Sequence, residues 1–200
     1  MKTAKIISII GHPIFHPTWM MIVLLLTGIT RFTPGNDITY LTITLSMTCL
    51  LPALIIVIMK KWHIISSIEM EDRDDRLAPL FVMLLFLYAT LRFFDKIEMM
   101  GLYSFYLTAT IVVTLLAFVI TLFWKISLHA LGWGCLTAGL FIMAIASIHL
   151  YLLYFIASII ISGIVAAARL KLKSHSNAQI YLGYAMGFAT VIIVFVLSAF

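Results

Sequence analysis

Long apolar runs dominate this sequence and constrain its fold more than any other feature. The 200 residues are 64% hydrophobic and 10% charged, with a mean hydropathy of +1.15. This composition excludes a soluble globular domain, and a helix needs about 20 apolar residues to cross a bilayer core. We therefore expect an all-α fold: a polytopic transmembrane helical bundle of about seven spans (six to seven), forming a single integral membrane domain over residues 1–200.

Polar interruptions divide the chain into the predicted spans. A break near Ser147 is required, because one helix from Leu128 to Ala168 would be roughly 60 Å long, about twice the bilayer core. The fifth span therefore ends at Ala146. The spans are residues 14–30, 38–59, 79–94, 102–124 and 128–146, a sixth that follows the boundary at residues 147–149 and ends at Ala168, and residues 180–200.

Single residues predict local features of these spans. Pro52 can be tolerated in the second span, because neighbouring helices can satisfy the carbonyl that it frees, but we expect it to kink the helix. Gly183 and Gly187, four residues apart, predict close helix packing in the seventh span. Lys2 and Lys5 precede an apolar segment without a small-residue cleavage site, so we expect this segment to be retained.

Three polar stretches follow the second, fourth and sixth predicted spans. They are residues 60–78, residues 125–129 and the segment from Arg169 to Gln179. An even number of spans separates them, so all three emerge on the same face of the membrane. Because polar residues beside a membrane are costly and tend to be kept for function, this arrangement favours one composite site.

The third polar stretch has the residue types that phosphoryl chemistry requires. A histidine that attacks phosphorus needs one unprotonated ring nitrogen, an acceptor for its other N–H and a nearby cation. The pattern Arg169, five residues, His175, three residues, Gln179 resembles the third signature of the type 2 phosphatidic acid phosphatase superfamily, which includes vanadium haloperoxidases. That signature reads Ser-Arg, five residues, His, three residues, Asp. Ala168 stands in place of its Ser and Gln179 in place of its Asp.

The two other signatures of this family have weaker counterparts. Residues 126–129, Ile-Ser-Leu-His, resemble the second signature, Pro-Ser-Gly-His, and keep its Ser and His. The first signature is Lys, six residues, Arg-Pro. Arg76 matches its Arg, Glu69 stands at its Lys, and Pro79 comes three residues after the Arg instead of one. The three matches span about half of the chain.

The resemblance implies a membrane phosphatase that hydrolyses a lipid phosphate or diphosphate through a phosphohistidine intermediate and needs no metal cofactor. His175 would be the nucleophile, Gln179 would orient it, and His129 would act as general acid. Four residues would hold the phosphoryl group: Arg169, Ser127, Arg76 and Lys125. Ser127 is also the expected N-cap of the fifth span, and Lys125 is assigned only because it lies close to Ser127 in sequence.

Departures from the family pattern keep two other functions open. Glu69 for Lys, Ile126 for Pro and Gln179 for Asp fit a non-catalytic descendant that binds or transports lipids. The acidic loop 69–76 also permits a transferase that uses Mg²⁺, since clustered carboxylates suit this ion. A solvated loop with internal ion pairs explains the same residues without metal. The alternative metal ligands are Asp72, Asp74 and Asp75.

Partners and location follow from the same observations. We expect a lipid phosphate substrate, contact with membrane lipids and no nucleic acid, because the chain lacks a pattern for stacking bases. The oligomeric state stays open. Cys49 and Cys135 are interpreted as small apolar residues, and four histidines lack partners at diagnostic spacing and are interpreted as structural: His12, His16, His63 and His149.

The membrane face of the site is predicted in opposite ways by two arguments. We expect an integral protein of the bacterial inner (cytoplasmic) membrane. The positive-inside rule favours the cytoplasmic face, whereas the resemblance favours the periplasmic or lumenal face. On the motif face lie Lys2, Lys5, Lys60, Lys61, Arg73, Arg76, Lys125, Arg169, Lys171 and Lys173, and opposite lie Arg31, Arg92 and Lys96.

Overall fold

The computed structural model describes residues 1–28, 36–68, 70, 72–95 and 101–198. Arg31, Glu69, Glu71, Lys96 and Phe200 lie outside these residues. Within them the regular secondary structure is helical, with no strand, and this confirms the predicted all-α fold. Seven segments are long and apolar enough to cross a membrane, as expected of an integral membrane protein: Lys2–Thr27, Asp37–Lys61, Asp74–Phe94, Gly101–Thr121, Leu128–Ala146, Ile148–Lys171 and Asn177–Ser198.

These segments are built from nine described α-helices and three shorter helical turns. The α-helices are α1 (Lys2–Ile10), α2 (His16–Thr27), α3 (Asp37–Leu45), α4 (Leu51–Lys61), α5 (Leu77–Phe94), α6 (Gly101–Thr121), α7 (Leu128–Ala146), α8 (Ile148–Lys171) and α9 (Asn177–Ser198). The turns are two 3₁₀ turns, Pro13–Phe15 and Asp74–Arg76, and one π-helical turn, Ser46–Leu50.

The described chain forms two compact units. Unit 1 comprises Met1–His16 and Ile126–Phe200, and unit 2 comprises Pro17–Lys125. The prediction of one membrane domain over residues 1–200 stays a prediction.

The first span differs from its predicted start at residue 14. Helical structure begins twelve residues earlier, at Lys2, and is interrupted after Ile10 by the turn Pro13–Phe15. Two local features stabilise this interruption. The Nδ1 atom of His12 accepts a hydrogen bond from the backbone N–H of Ile14 at 3.2 Å, and Pro13 has no N–H to satisfy. The proline-containing segment at the predicted start of the first span is therefore a break within a longer helical segment.

The second span contains the irregularity expected near Pro52. A proline removes one helical hydrogen bond and its ring crowds the carbonyl four residues earlier, here that of Thr48. The chain accommodates this with a π-helical turn at Ser46–Leu50, in which the N–H of Leu51 donates to the carbonyl of Ser46. The wider turn moves the crowded carbonyl away from the ring.

In unit 1, α7 is the central helix. Fourteen of its nineteen residues are buried, and it packs against both α8 and α9. Gly134 and Gly187 allow the close approach of α7 and α9: a Cβ atom on Gly134 would lie 2.2 Å from the carbonyl oxygen of Tyr184, and one on Gly187 would lie 2.0 Å from that of Leu131. The close packing predicted at Gly187 is confirmed.

The predicted boundary between the fifth and sixth spans is also confirmed. Helix α7 ends at Ala146, and Ser147 has φ −151° and ψ 89°, an extended conformation that a helix cannot continue through. Helix α8 begins at the next residue. The break keeps both helices close to the length of one membrane crossing.

Unit 2 has an aromatic core of its own. The rings of Phe94 and Tyr103 meet edge to face, with centroids 5.1 Å apart, and α5 packs against α6. The buried hydroxyl of Tyr103 donates to the carbonyl of Pro17 and lies 3.3 Å from the hydroxyl of Thr44. These polar contacts satisfy a hydroxyl that would be costly to bury alone.

Candidate functional site

Ser127 is a residue of the candidate site and lies at the N-terminus of α7. It is fully buried, and its extended backbone makes it the N-cap, with Oγ accepting a hydrogen bond from the N–H of Ala130 at 3.4 Å. This confirms the N-cap prediction. Its own N–H donates to the carbonyl oxygen of Gln179 at 3.3 Å. The start of α7 is therefore linked to the first turn of α9.

His129 and Arg169 meet at one residue, Ser8 of α1. The Nε2 atom of His129 lies 3.0 Å from the backbone carbonyl oxygen of Ser8 and 3.4 Å from its hydroxyl. The Nη1 atom of Arg169 donates to the same hydroxyl at 2.9 Å. A residue near the N-terminus thus connects the first turn of α7 with the last turn of α8.

A cavity of about 250 Å³ lies between α7, α8 and α9. Ser127, His129, Arg169 and Ser162 supply its polar lining. No described residue that lines it is acidic. The remaining lining is mostly apolar or aromatic and includes Trp133, Ile159, Val165, Ile180, Tyr181 and Tyr184. The structure therefore brings three of the predicted site residues, Ser127, His129 and Arg169, to one cavity.

His175 and Gln179 form a pair of their own at the start of α9. The Nδ1 atom of His175 lies 3.0 Å from Oε1 of Gln179, which is the contact that the sequence predicted. Gln179 and Ser176 also form a capping box: the N–H of Ser176 donates to Oε1 at 3.1 Å, and Oγ of Ser176 accepts from the N–H of Gln179 at 3.3 Å. His175 is buried but is not among the described residues that line the cavity.

Arg76 and Lys125 belong to unit 2. Arg76 is buried, and its Nε donates to the carbonyl of Met70 at 2.9 Å. Lys125 is half-buried. Their predicted roles as phosphate ligands stay predictions, as does the match of Glu69 to the first signature, because Glu69 lies outside the described residues.

Two of the three described carboxylates of the acidic loop have partners within the loop or in the turn before it. Asp75 accepts from the N–H groups of Ser66 and Ser67 at 2.8 and 3.1 Å and from the Ser66 hydroxyl. Asp74 lies 3.5 Å from Arg73, and Asp72 is exposed. The described residues contain no group of three His, Cys, Asp or Glu that could hold a metal. These contacts are those of a solvated loop, and the Mg²⁺ alternative stays a prediction.

Sequence reasoning did not identify the N-terminal side of the site. The ring of His12 meets that of His129 edge to face, with centroids 4.9 Å apart. His16 is buried against Trp133, at 4.8 Å between ring centroids, and neither of its ring nitrogens has a hydrogen-bond partner among the described residues. One signal was present in the sequence: Ser8, His12 and His16 recur every four residues inside an apolar run, where polar residues are rare.

This arrangement is suited to an anion. Arg169 presents a planar fork of donors, and its Nε atom is buried without a hydrogen-bond partner among the described residues. The N-terminus of α7, with its partial positive charge, lies on the same cavity. No described lining residue is acidic, so no described side chain on the cavity carries a negative charge that would repel a phosphoryl group.

Comparisons with known proteins neither support nor contradict an anion site in this cavity. The resemblance to the phosphatase family therefore depends on the three short motifs alone. No family model matches the chain, and neither a curated protein nor a solved structure is similar to it.

Proposed function

We propose that this protein hydrolyses a lipid phosphate or diphosphate in the inner membrane of a bacterium. The observation that carries the proposal is that Arg169 and His129 line one cavity at the N-terminus of α7. A guanidinium fork, an imidazole and a helix N-terminus together favour a tetrahedral anion over a neutral or cationic ligand.

The apolar part of the cavity supports a lipid as the source of that anion. Ile159, Val165 and Ile180 line the same space as Arg169, and they offer no hydrogen bonds to a polar substrate. A phosphate joined to a hydrocarbon tail satisfies both kinds of lining. A free sugar phosphate or nucleotide would leave its polar groups against apolar side chains, which is costly.

The reaction begins with a nucleophilic step at His175. Oε1 of Gln179 can only accept a hydrogen bond, so the Nδ1 atom of His175 carries the proton and Nε2 keeps its lone pair. Nε2 attacks phosphorus while Arg169 and Ser127 hold the phosphoryl oxygens. The bond between phosphorus and the leaving oxygen breaks, and His129 donates a proton to that oxygen.

Water completes the reaction. It attacks the phosphorus of the phosphohistidine, the P–N bond breaks, and inorganic phosphate leaves. His129, now neutral, accepts a proton from the attacking water. Both histidines return to their starting protonation states, and neither metal nor redox cofactor takes part.

Phosphate release from purified protein in nanodiscs tests the proposal, with phosphatidic acid and an isoprenyl diphosphate as substrates. We expect His175→Ala to abolish release and Arg169→Ala to reduce it at least about 100-fold, as for loss of a transition-state donor. His149→Ala and Lys171→Ala remove an exposed histidine and an exposed cation of α8 and should retain activity. Equal release by His175→Ala and the unmodified protein would refute the hydrolase.

A non-catalytic lipid-binding protein is the second candidate. The capping box accounts for the orientation of Gln179 without any catalytic role, and an amide stabilises an imidazolium less than the family's carboxylate would. Such a protein would bind a phosphate group through Arg169 but would not hydrolyse any phosphate substrate. Binding that depends on Arg169, together with no turnover, would support this second function.

A further inference from the structure

We propose that Ser8 is the positioning residue of this site and that it orients both His129 and Arg169 from behind the cavity lining. Ser8 is buried and contacts both residues, but it is not among the described residues that line the cavity. It therefore acts through side chains that can reach a ligand. Its role in turnover rests on the proposed function, whereas its effects on ring protonation and anion binding do not.

The carbonyl of Ser8 selects one tautomer of His129. A carbonyl oxygen only accepts hydrogen bonds, so at 3.0 Å the Nε2 atom of His129 must carry its proton. The lone pair of neutral His129 then lies on Nδ1, and proton transfer to the leaving oxygen occurs from Nδ1 of the imidazolium. Gln179 imposes the opposite tautomer on His175. Two histidines thus receive different protonation patterns from two oxygen acceptors.

The hydroxyl of Ser8 fixes the guanidinium of Arg169. It accepts from Nη1 at 2.9 Å, which holds one edge of the planar group. Nε, on another edge, has no hydrogen-bond partner among the described residues. One anchored edge limits rotation of the fork and lowers the entropy lost when an anion binds.

Contacts at the end of α1 hold Ser8 in place. The indole Nε1 of Trp133 donates to the carbonyl of Gly11 at 3.0 Å. Gly11 also packs closely on α8, since a Cβ atom there would lie 2.5 Å from Cγ2 of Val165. The segment is therefore attached to α7 and to α8, the two helices that carry His129 and Arg169.

The tautomers can be measured on the unmodified protein. Histidine labelled with ¹⁵N, observed by long-range ¹H–¹⁵N correlation at mildly alkaline pH, distinguishes protonated from bare ring nitrogens, and His129→Gln assigns the His129 signals. We expect His129 to carry its proton on Nε2. A proton on Nδ1, or a mixture of both tautomers, would overturn the proposal even if the protein proves to be no enzyme.

Variants of Ser8 test the link to Arg169, with binding of inorganic phosphate followed by ³¹P line broadening. Ser8→Ala should weaken binding about fivefold to tenfold, the scale of one ordinary hydrogen bond. Ser8→Cys keeps most of the volume but accepts weakly, so it should behave like Ser8→Ala, and Ser8→Thr should restore binding. Ser158→Ala is the matched control, because among the described residues this buried hydroxyl of α8 bonds only the carbonyl of Phe155 in its own helix.

Two outcomes of this series would contradict the proposal. If Ser8→Cys binds phosphate like the unmodified protein, packing and not the hydrogen bond explains any loss in Ser8→Ala. If Ser8→Ala and Ser158→Ala weaken binding equally, the effect is a general consequence of deleting a buried hydroxyl. Unchanged phosphate binding by Arg169→Gln would instead refute the proposed anion site. In that case the role of Ser8 is tested only by the tautomer of His129.

Discussion

The crossing of α7 and α9 gives the sharpest prediction about stability. A Cβ atom on Gly187 would lie 2.0 Å from the carbonyl oxygen of Leu131. That oxygen is backbone, so it cannot rotate away as a flexible side chain would. The helices would have to separate by about 1.4 Å to reach ordinary contact. We therefore expect Gly187→Ala to destabilise the protein by about 1–3 kcal/mol, the usual cost of overpacking.

Thermal unfolding in detergent measures this change. Cys49 and Cys135 are buried thiols, so a thiol-reactive fluorophore reports their exposure as the protein unfolds. For a chain of this length the expected loss lowers the midpoint by roughly 2–12 °C. Gly163→Ala on α8 is the matched control, because a Cβ there would meet no described atom within 4 Å outside the adjacent part of its own helix. Equal midpoints for Gly187→Ala and Gly163→Ala would refute the close crossing.

Three further predictions address the site. Trp133→Phe keeps an aromatic ring but removes the indole N–H that donates to the Gly11 carbonyl, so stability should fall by at least about 1–2 kcal/mol in the same unfolding assay; an unchanged midpoint would contradict the anchoring of α1. Gln179→Asp gives His175 a carboxylate partner and should raise phosphate release at least about tenfold; a decrease would count against His175 as nucleophile. Chelation of divalent metal should leave hydrolysis unchanged, whereas complete loss would favour the Mg²⁺ transferase.

The sequence predicted the spans well because each one is a local property. Apolar run length required the break at Ser147, and the spacing of Gly183 and Gly187 indicated a close helix contact. Pro52 indicated that the second span contains an irregular segment. The predicted start of the first span was wrong because Gly11 and Pro13, which are typical of helix ends, interrupt a helical segment that begins at Lys2.

The site was predicted less completely, since its contacts join distant parts of the chain. Ser8 lies 121 residues from His129 and 161 from Arg169, and no local pattern indicates that they meet. His175 and Gln179 are four residues apart, so their hydrogen bond could be predicted from spacing alone. The polar residues His12 and His16 had no partner nearby in sequence. The rings that they contact in space, those of His129 and Trp133, belong to α7.

The central claim is that the cavity at Arg169 and His129 binds a phosphoryl anion. Titration of inorganic phosphate into Arg169→Gln and Lys171→Gln, two variants that each lose one positive charge near the end of α8, tests it most directly. We predict that Arg169→Gln weakens binding at least about tenfold, as expected for loss of a charge-assisted contact, and that Lys171→Gln stays within about twofold of the unmodified protein. Equal affinities for the two variants would contradict the claim.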